Sequence, residues 1–403
     1  MKISLVRKID YWAGIPICFV FDLIYFLNKL NPFKRKISGY QKNFLFIELS
    51  EMGSSILTYP AMKYLKNKYP DAELFFMIFE KNRASVDILN TVKPKNVLTI
   101  REDSFAHFLI DALKCCARMR KEKIDVVFDL ELFSRATAIL TYLSGAKVRV
   151  GFYKYQMEGL YRGNFFTHKI QYNFRQHISR SFLSFVKSLE LNPADLPTMQ
   201  SEIKDEEIFP ATYSSSEKKV NNIWNKLQQE NQQINKDKKI FIFNPSGGEI
   251  PIRAWPLNNY INLAQRLLAN ENIYLIATGG KSDLKICEKF CKAINNNRCL
   301  NLTGKTTFTE LIDLYNISDV LITNDSGPAH FASLTPIQIF VFFGPENSKL
   351  YCPLGKNINI LYSNFPCSPC LSAFNHRFTS CKNNRCLQAI SVDEVYNKII
   401  NKL

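Results

Sequence analysis

The sequence has no low-complexity tract, and its composition does not resemble a disordered, collagen-like or polytopic membrane chain, which leaves a foldable globular protein. No zinc-finger or RNA-recognition signature accompanies the scattered basic residues, whose longest dense run is Lys34-Arg35-Lys36, so a nucleic-acid partner is not expected. No small-residue cleavage site follows the apolar stretch near the start, which meets Asn28-Lys29-Leu30-Asn31-Pro32 instead, and this argues against a cleaved secretory signal. No GxGxxG follows the first strand-like run of either half, which weakens a nicotinamide-dependent dehydrogenase. A disulfide framework is also missing: eleven cysteines, an odd number at irregular spacing, point to a reducing compartment and favour the cytoplasm.

What is present fits two domains, because 403 residues exceed what one hydrophobic core usually spans. Lysine and arginine outnumber aspartate and glutamate by 52 to 36, and the resulting net charge of +16 attracts anions such as anionic lipid or phosphorylated sugars.

Residues 1–40 form a separate amphipathic segment. Tyr11 to Leu30 is rich in large apolar side chains, with Lys8, Lys29, Lys34, Arg35 and Lys36 flanking it. Asp22 interrupts the run, and Gly14 and Pro16 weaken a helix through its start, so its uninterrupted part falls short of the roughly 20 residues a membrane span needs. Two readings stay open: a helix at the interface of an anionic bilayer, and a helix docked on the protein's own surface.

From Phe44 onward, short apolar runs alternate with amphipathic stretches. Phe44–Leu49, Glu73–Phe79, Asn96–Ile100, Asp125–Leu130 and Val148–Phe152 read as strands. The clearest helix follows Gly53, carries Ile56, Leu57, Met62 and Leu65, and stops at Tyr69-Pro70-Asp71. Ser201–Lys239 is more polar, and the pattern restarts at Ile240–Asn244, Ile273–Thr278, Cys299–Leu302, Val320–Thr323, Ile337–Phe342 and Ile358–Tyr362. The expected fold is α/β, with two Rossmann-like, doubly wound parallel-sheet domains, 41–215 and 216–403, facing a central cleft. Ligands in such sheets bind beyond the carboxyl ends of the strands.

Two of those loops carry the chemistry. Asn244-Pro245-Ser246-Gly247-Gly248, followed by Arg253-Ala254-Trp255-Pro256, supplies glycines that let the backbone approach an anion and an arginine fork for phosphate; a turn with Arg253 packed on Trp255 is the structural alternative. Asn324-Asp325-Ser326-Gly327-Pro328-Ala329-His330 runs into an apolar helix, whose unpaired amides suit a pyrophosphate, or whose start Asp325 or Ser326 merely caps. Gly279 to Asp283 reads as a structural turn, and Gly304-Lys305 lies in a further loop. Cys367, Cys370, Cys381 and Cys386 offer four thiolate ligands for a tetrahedral zinc site, the alternatives being free or disulfide-paired thiols.

Together, Leu49-Ser50-Glu51-Met52-Gly53-Ser54-Ser55-Ile56-Leu57-Thr58-Tyr59-Pro60-Ala61, Asn244 to Pro256, Gly304-Lys305-Thr306, Asn324 to His330 and Phe343-Gly344-Pro345 resemble glycosyltransferase family 9, the ADP-heptose:lipopolysaccharide heptosyltransferases. The resemblance implies a GT-B fold, an acceptor-binding amino-terminal domain, a donor-binding carboxy-terminal domain, and inverting transfer without a metal cofactor. It implies a nucleotide-diphosphate sugar as donor, ADP-heptose being favoured, and a lipopolysaccharide-core or other lipid-linked glycan as acceptor. Apart from the resemblance, the cysteine count favours the cytoplasm, and the basic balance and amphipathic start suit a peripheral place on the inner face of the bacterial inner membrane, in contact with anionic lipid. Donor-binding residues would be Ser246, Gly247, Arg253, Lys305, Asp325, Ser326, Gly327 and His330, with Arg253 standing where the family has a lysine. The family commonly has an aspartate, its general base, directly after the first motif's glycine. This chain has Ser54 there, which leaves Glu51, in the same turn, as the replacement base or else a catalytically impaired sugar-binding protein.

Overall fold

The computed structural model describes residues 3–30, 41–154, 160–198, 201–248, 250–372 and 377–402. The chain divides into two compact units, Met1–Ile208 and Phe209–Leu403. Each holds one six-stranded, all-parallel sheet.

In the first unit the strands are β1 (Asn43–Ile47), β2 (Glu73–Phe79), β3 (Val97–Ile100), β4 (Val126–Asp129), β5 (Val148–Tyr153) and β6 (His168–Gln171), in the order β3-β2-β1-β4-β5-β6. The second unit repeats that winding with β7 (Lys239–Asn244), β8 (Ile273–Ala277), β9 (Cys299–Asn301), β10 (Val320–Asn324), β11 (Gln338–Phe342) and β12 (Ile358–Leu361), ordered β12-β11-β10-β7-β8-β9. The expected runs all become strands. The addition is β6, a short edge strand of sequence His-Lys-Ile-Gln, whose single large apolar residue gives little signal against the surrounding loop.

Alternation through the pleat explains why these runs are apolar throughout. Leu45 and Ile47 join a core with Met77, Leu98, Ala112, Met119 and Leu140, whereas Phe44 and Phe46 turn to the other face and stack with Phe128. The helix expected after Gly53 forms in two pieces, α3 (Met52–Leu57) and a helix Tyr59–Lys68, divided at Thr58 just before Pro60.

The amino-terminal segment forms α1 (Ile3–Trp12) and α2 (Gly14–Lys29). The junction residue Ala13 keeps helical dihedrals, and the interruption falls beside Trp12, whose carbonyl would otherwise meet the Pro16 ring. Gly14 and Pro16 therefore cost less continuity than the sequence implies. Val6–Lys29 is a 24-residue stretch long and apolar enough, by length and composition alone, to cross a membrane. One face of it docks on the first unit. The Asp10 carboxylate accepts from the backbone N–H groups of Arg135 and Ala136 and pairs with the Arg135 guanidinium at 3.0 Å. Gly14 lies against Arg135 so closely that an added Cβ would stand 2.8 Å from the arginine's own. Cys18 packs with Ala138, Phe165 and Phe166, Phe21 stacks on Tyr142, and Asp22 accepts hydrogen bonds from Tyr161 and Asn164.

At the end of β4, Asp129 is fully buried and paired with the buried Arg162 guanidinium. Burial pushes the Asp129 carboxyl up to about 6, against the pull of Arg162. Removing the cation strands a charge in the core, so Arg162→Ala is expected to cost about 3–5 kcal/mol of unfolding free energy at neutral pH. Urea unfolding followed by tyrosine fluorescence checks this, and a loss below about 1 kcal/mol contradicts it.

Candidate active site

In the first unit the segment Leu49 to Glu51 leaves β1 and is held from three sides. The Glu131 carboxylate, just past β4, accepts from the backbone N–H groups of Leu49 and Ser50 at 3.0 Å each and from the Ser50 hydroxyl at 2.9 Å. Asn82 donates to the carbonyls of Leu49 and Ser50, and the Glu51 N–H donates to the Glu48 carboxylate. Glu51 then precedes α3, and the Ser54 hydroxyl donates to its Oε2 at 2.8 Å. The candidate base and the serine that stands at the family's aspartate position thus meet directly, and the hydroxyl fixes one carboxylate oxygen. Of the other acids in this region, Asp129 is engaged by Arg162 and Glu48 is buried.

In the second unit the organising side chain is Asn324, the last residue of β10, fully buried. Its Oδ1 accepts from the Trp255 N–H at 2.8 Å and the Tyr260 hydroxyl at 2.9 Å, while its Nδ2 donates to the Ser246 carbonyl at 2.9 Å. Trp255 is a core residue stacked on Phe342 at 4.4 Å, so it does not serve as a surface platform for Arg253. The Ser246 hydroxyl donates to Asp283, whose other oxygen accepts from the Gly280 N–H, so the turn after β8 supports the turn after β7. Gly247 packs on Ile250 and Pro251, where a Cβ would come within 3.1 Å of backbone atoms.

This frame holds Arg253 between two acids. Its guanidinium lies 2.8 Å from Glu346 and 3.6 Å from Asp325. Arg377 approaches the same Glu346 oxygen at 3.5 Å. Burial pushes the Glu346 carboxyl up to about 7, against Arg253 and with help from Asp325, and burial raises Asp325 likewise. Asp325 is 6% exposed, and its Oδ2 has no hydrogen-bond donor among the described residues. Ser326, extended at φ −162°, donates to the Asn324 carbonyl and does not cap the helix Gly327–Ala332 that follows. His330 is buried within that helix.

Lys305 stands apart from the cluster: its ammonium pairs at 2.6 Å with Glu230 of the helix Glu217–Glu230. The tetrahedral zinc site also needs correction, because among the described residues no group of three or more His, Cys, Asp or Glu side chains is arranged to hold a metal ion. Cys386 serves the core instead, with Gly344 packed on its sulfur, and burial pushes the Cys370 and Cys386 thiols up. All eleven cysteines are free thiols. What the cysteine-rich end does supply is Asn384, which donates to the carbonyls of Ile252 and Ala254 and so braces Arg253 from behind.

Glu131, Glu346, Arg377 and Asn384 were not legible as site residues. Their roles depend on strand order and chain crossing rather than local pattern; only the position of Glu346, just beyond the Phe343-Gly344-Pro345 match, offered a signal.

Two doubly wound halves with one strand order, each with its polar loops beyond the carboxyl ends of the strands, define the GT-B class of fold. The chain belongs to glycosyltransferase family 9 (heptosyltransferase), whose sequence profile matches residues 112–377. It is 26% identical to lipooligosaccharide heptosyltransferase 2 of Campylobacter jejuni over 43% of this chain and 55% of that protein. It is 21% identical to a lipopolysaccharide core heptosyltransferase of Haemophilus influenzae over 80% of this chain and 86% of the relative. Against the first of these and a second C. jejuni relative, the chain spans about half their length, 55% and 51%. Among solved structures, ADP-heptose lipopolysaccharide heptosyltransferase II of Escherichia coli superposes with a TM-score of 0.68 at 17% identity, covering 89% of this chain and 98% of that one. An E. coli heptosyltransferase with bound ADP-2-deoxy-2-fluoro heptose gives 0.61 at 14% identity, covering 90% and 100%.

Glu346 makes a sharp test of the acid–arginine cluster. An acid whose pKa rises on folding stabilises the folded state most at low pH, and that contribution fades as pH climbs through the folded value. From the ordinary value of 4.5 to the folded value of about 7, wild-type stability is therefore expected to fall relative to Glu346→Gln, with the difference levelling off above that window. Urea unfolding across this pH range reads it; parallel profiles contradict the assignment.

Proposed function

We propose that the protein is an inverting glycosyltransferase that moves a heptose or related sugar from a nucleotide-diphosphate sugar, ADP-heptose by preference, to a lipopolysaccharide-core or other lipid-linked glycan. The observation that carries this reading is Asp325, a buried carboxylate whose Oδ2 has no hydrogen-bond donor among the described residues and lies 3.6 Å from the guanidinium of Arg253. Such an oxygen is accounted for by a ligand that brings hydroxyl donors, and the neighbouring cation by one that brings phosphate. A sugar diphosphate brings both. The relatives' names as heptosyltransferases, and the ADP-sugar bound in a similarly folded protein, favour the heptose and the adenine nucleotide.

In this reading the carboxy-terminal unit binds the donor and the amino-terminal unit the acceptor. Asp325 accepts hydrogen bonds from the sugar, while Ser246, Gly247, Ser326 and Gly327 bring backbone amides to the diphosphate, with His330 behind them. Lys305 reaches the donor only by leaving Glu230. The acceptor oxygen forms its bond to the anomeric carbon as the bond from that carbon to the diphosphate oxygen breaks. Glu51, oriented by Ser54, takes the acceptor hydroxyl's proton. The leaving diphosphate is stabilised electrostatically by Arg253, so the scheme assigns no step to a metal ion. A Glu346 that is half protonated near neutral pH leaves Arg253 less neutralised, which lowers the cost of turning the guanidinium toward phosphate. Action in the cytoplasm matches the eleven free thiols.

A panel of ADP-, UDP-, GDP- and CMP-sugars assayed by thermal shift should show ADP-heptose raising the melting temperature most, since a ligand that binds only the folded state stabilises it by mass action. Glu51→Gln should then lower transfer by about 10²- to 10⁴-fold while leaving that shift intact. No shift with any sugar nucleotide would sink the donor reading, and full turnover by the variant would remove Glu51 from the mechanism.

A further inference from the structure

The docked face of the Val6–Lys29 stretch, which spans the end of α1 and all of α2, leaves its opposite face bare. Trp12, Phe19, Leu23, Phe26 and Leu27 are each more than half exposed, at spacings that line one side of the helix, and Lys8 and Lys29 stand exposed at its two ends. A second apolar stripe lies on the helix Phe105–Lys121, where Phe105, Leu109 and Leu113 are exposed at four-residue intervals. Both helices occupy the same side of the sheet: Ala112 and Met119 of the second share a core with Leu45, Ile47 and Leu140, and α2 packs on the helix Arg135–Leu143 that carries Leu140.

We infer that this outer face lies in the plane of an anionic bilayer and anchors the amino-terminal unit there without crossing the membrane. Charge selects the occupant. A second copy of a chain with net charge +16 would bring Lys8 and Lys29 against like charges, whereas anionic headgroups meet both lysines while the apolar side chains enter the acyl boundary. Exposed Tyr11 and Trp12 have the amphipathic rings that settle at headgroup depth. The docked face excludes a span. To cross, α1 and α2 would have to break the Asp10–Arg135 pair and the hydrogen bonds to Asp22, then carry both carboxylates into hydrocarbon.

The geometry also gives the anchor a purpose. α2 runs parallel to the helix Arg135–Leu143, with Asp10 and Gly14 at Arg135 and Phe21 at Tyr142. Asp10 therefore binds at the carboxyl end of β4, in the same connection from which Glu131 holds Leu49 and Ser50. The loop carrying Glu51 is thereby tied to the membrane-facing α1–α2 segment through one short connection. Membrane contact stands on the surface itself; delivery of a lipid-linked acceptor to Glu51 rests on the transferase reading.

The test is flotation of the full chain with vesicles of phosphatidylglycerol and phosphatidylcholine, against phosphatidylcholine alone. Wild type is expected to float with the anionic vesicles. Tryptophan emission should shift to the blue, because Trp12 is the exposed one of three while Trp224 and Trp255 are buried. The shift, but not flotation, should be lost in Trp12→Phe. Leu23→Ser/Phe26→Ser/Leu27→Ser should reduce binding at least about tenfold, and adding Leu109→Ser/Leu113→Ser should reduce it further, with melting temperature and transfer to a soluble acceptor unchanged. Four results would overturn the inference: no flotation of wild type, undiminished flotation of the triple variant, resistance of wild type to an alkaline carbonate wash, as a spanning helix shows, or loss of a dimer as the triple variant's sole change. Flotation by a chain that transfers no sugar would refute the transferase reading alone, and transfer without flotation would refute this inference alone.

Discussion

The second unit depends on one buried side-chain amide. Asn324 satisfies a backbone N–H, a tyrosine hydroxyl and a backbone carbonyl at once, and those three groups belong to Trp255, to the helix Leu257–Leu267 and to the turn after β7. An apolar or acidic residue there would leave buried polar groups unpaired at about 1–3 kcal/mol each. The same amide sets the chemistry, because Trp255 follows Arg253 by two residues and Asp325 follows Asn324 directly. Fixing the frame fixes the distance between the cation and the carboxylate. The first unit solves the same problem with Glu131, which reaches from the end of β4 to the loop after β1. In both sheets these are the strands at which the winding reverses, where a crevice opens between neighbouring loops.

The acid–arginine cluster is balanced rather than strongly cationic. Arg253 and Arg377 face Glu346 and Asp325, so the unliganded site does not hold an uncompensated positive charge in a buried setting. The compensation is soft, since burial has brought Glu346 to about 7, where a proton is gained or lost at little cost. Under the proposed function, that softness would let the cluster take the donor's diphosphate without large rearrangement of the fold around it.

How much of this was legible follows from what each feature depends on. Apolar runs such as Glu73–Phe79 and Val320–Asn324 are buried on both faces, so composition alone marks them, and two successive sets of them imply two sheets. β6 escaped because one isoleucine among polar residues at a sheet edge carries no such mark. The loops at Ser246 and Asn324 stood out through glycine and polar residues beside strands. Their partners did not, because Glu131, Glu346 and Asn384 act across 80 to 130 residues of chain. The cysteines misled for a related reason: spacing suggested a ligand set, while folding committed Cys386 to the core. The amino-terminal segment left two readings open; the structure docks one face on the protein and leaves the other apolar and exposed.

The central claim is that Arg253, held by the Asn324 frame, receives the donor's diphosphate. Calorimetric titration of ADP-heptose onto the full chain and onto Arg253→Met tests it most directly. The account predicts one site in the wild type and affinity about 10- to 100-fold weaker in the variant, the loss expected for a charge-assisted hydrogen bond. Equal affinity in both proteins, or no binding to the wild type, would contradict it.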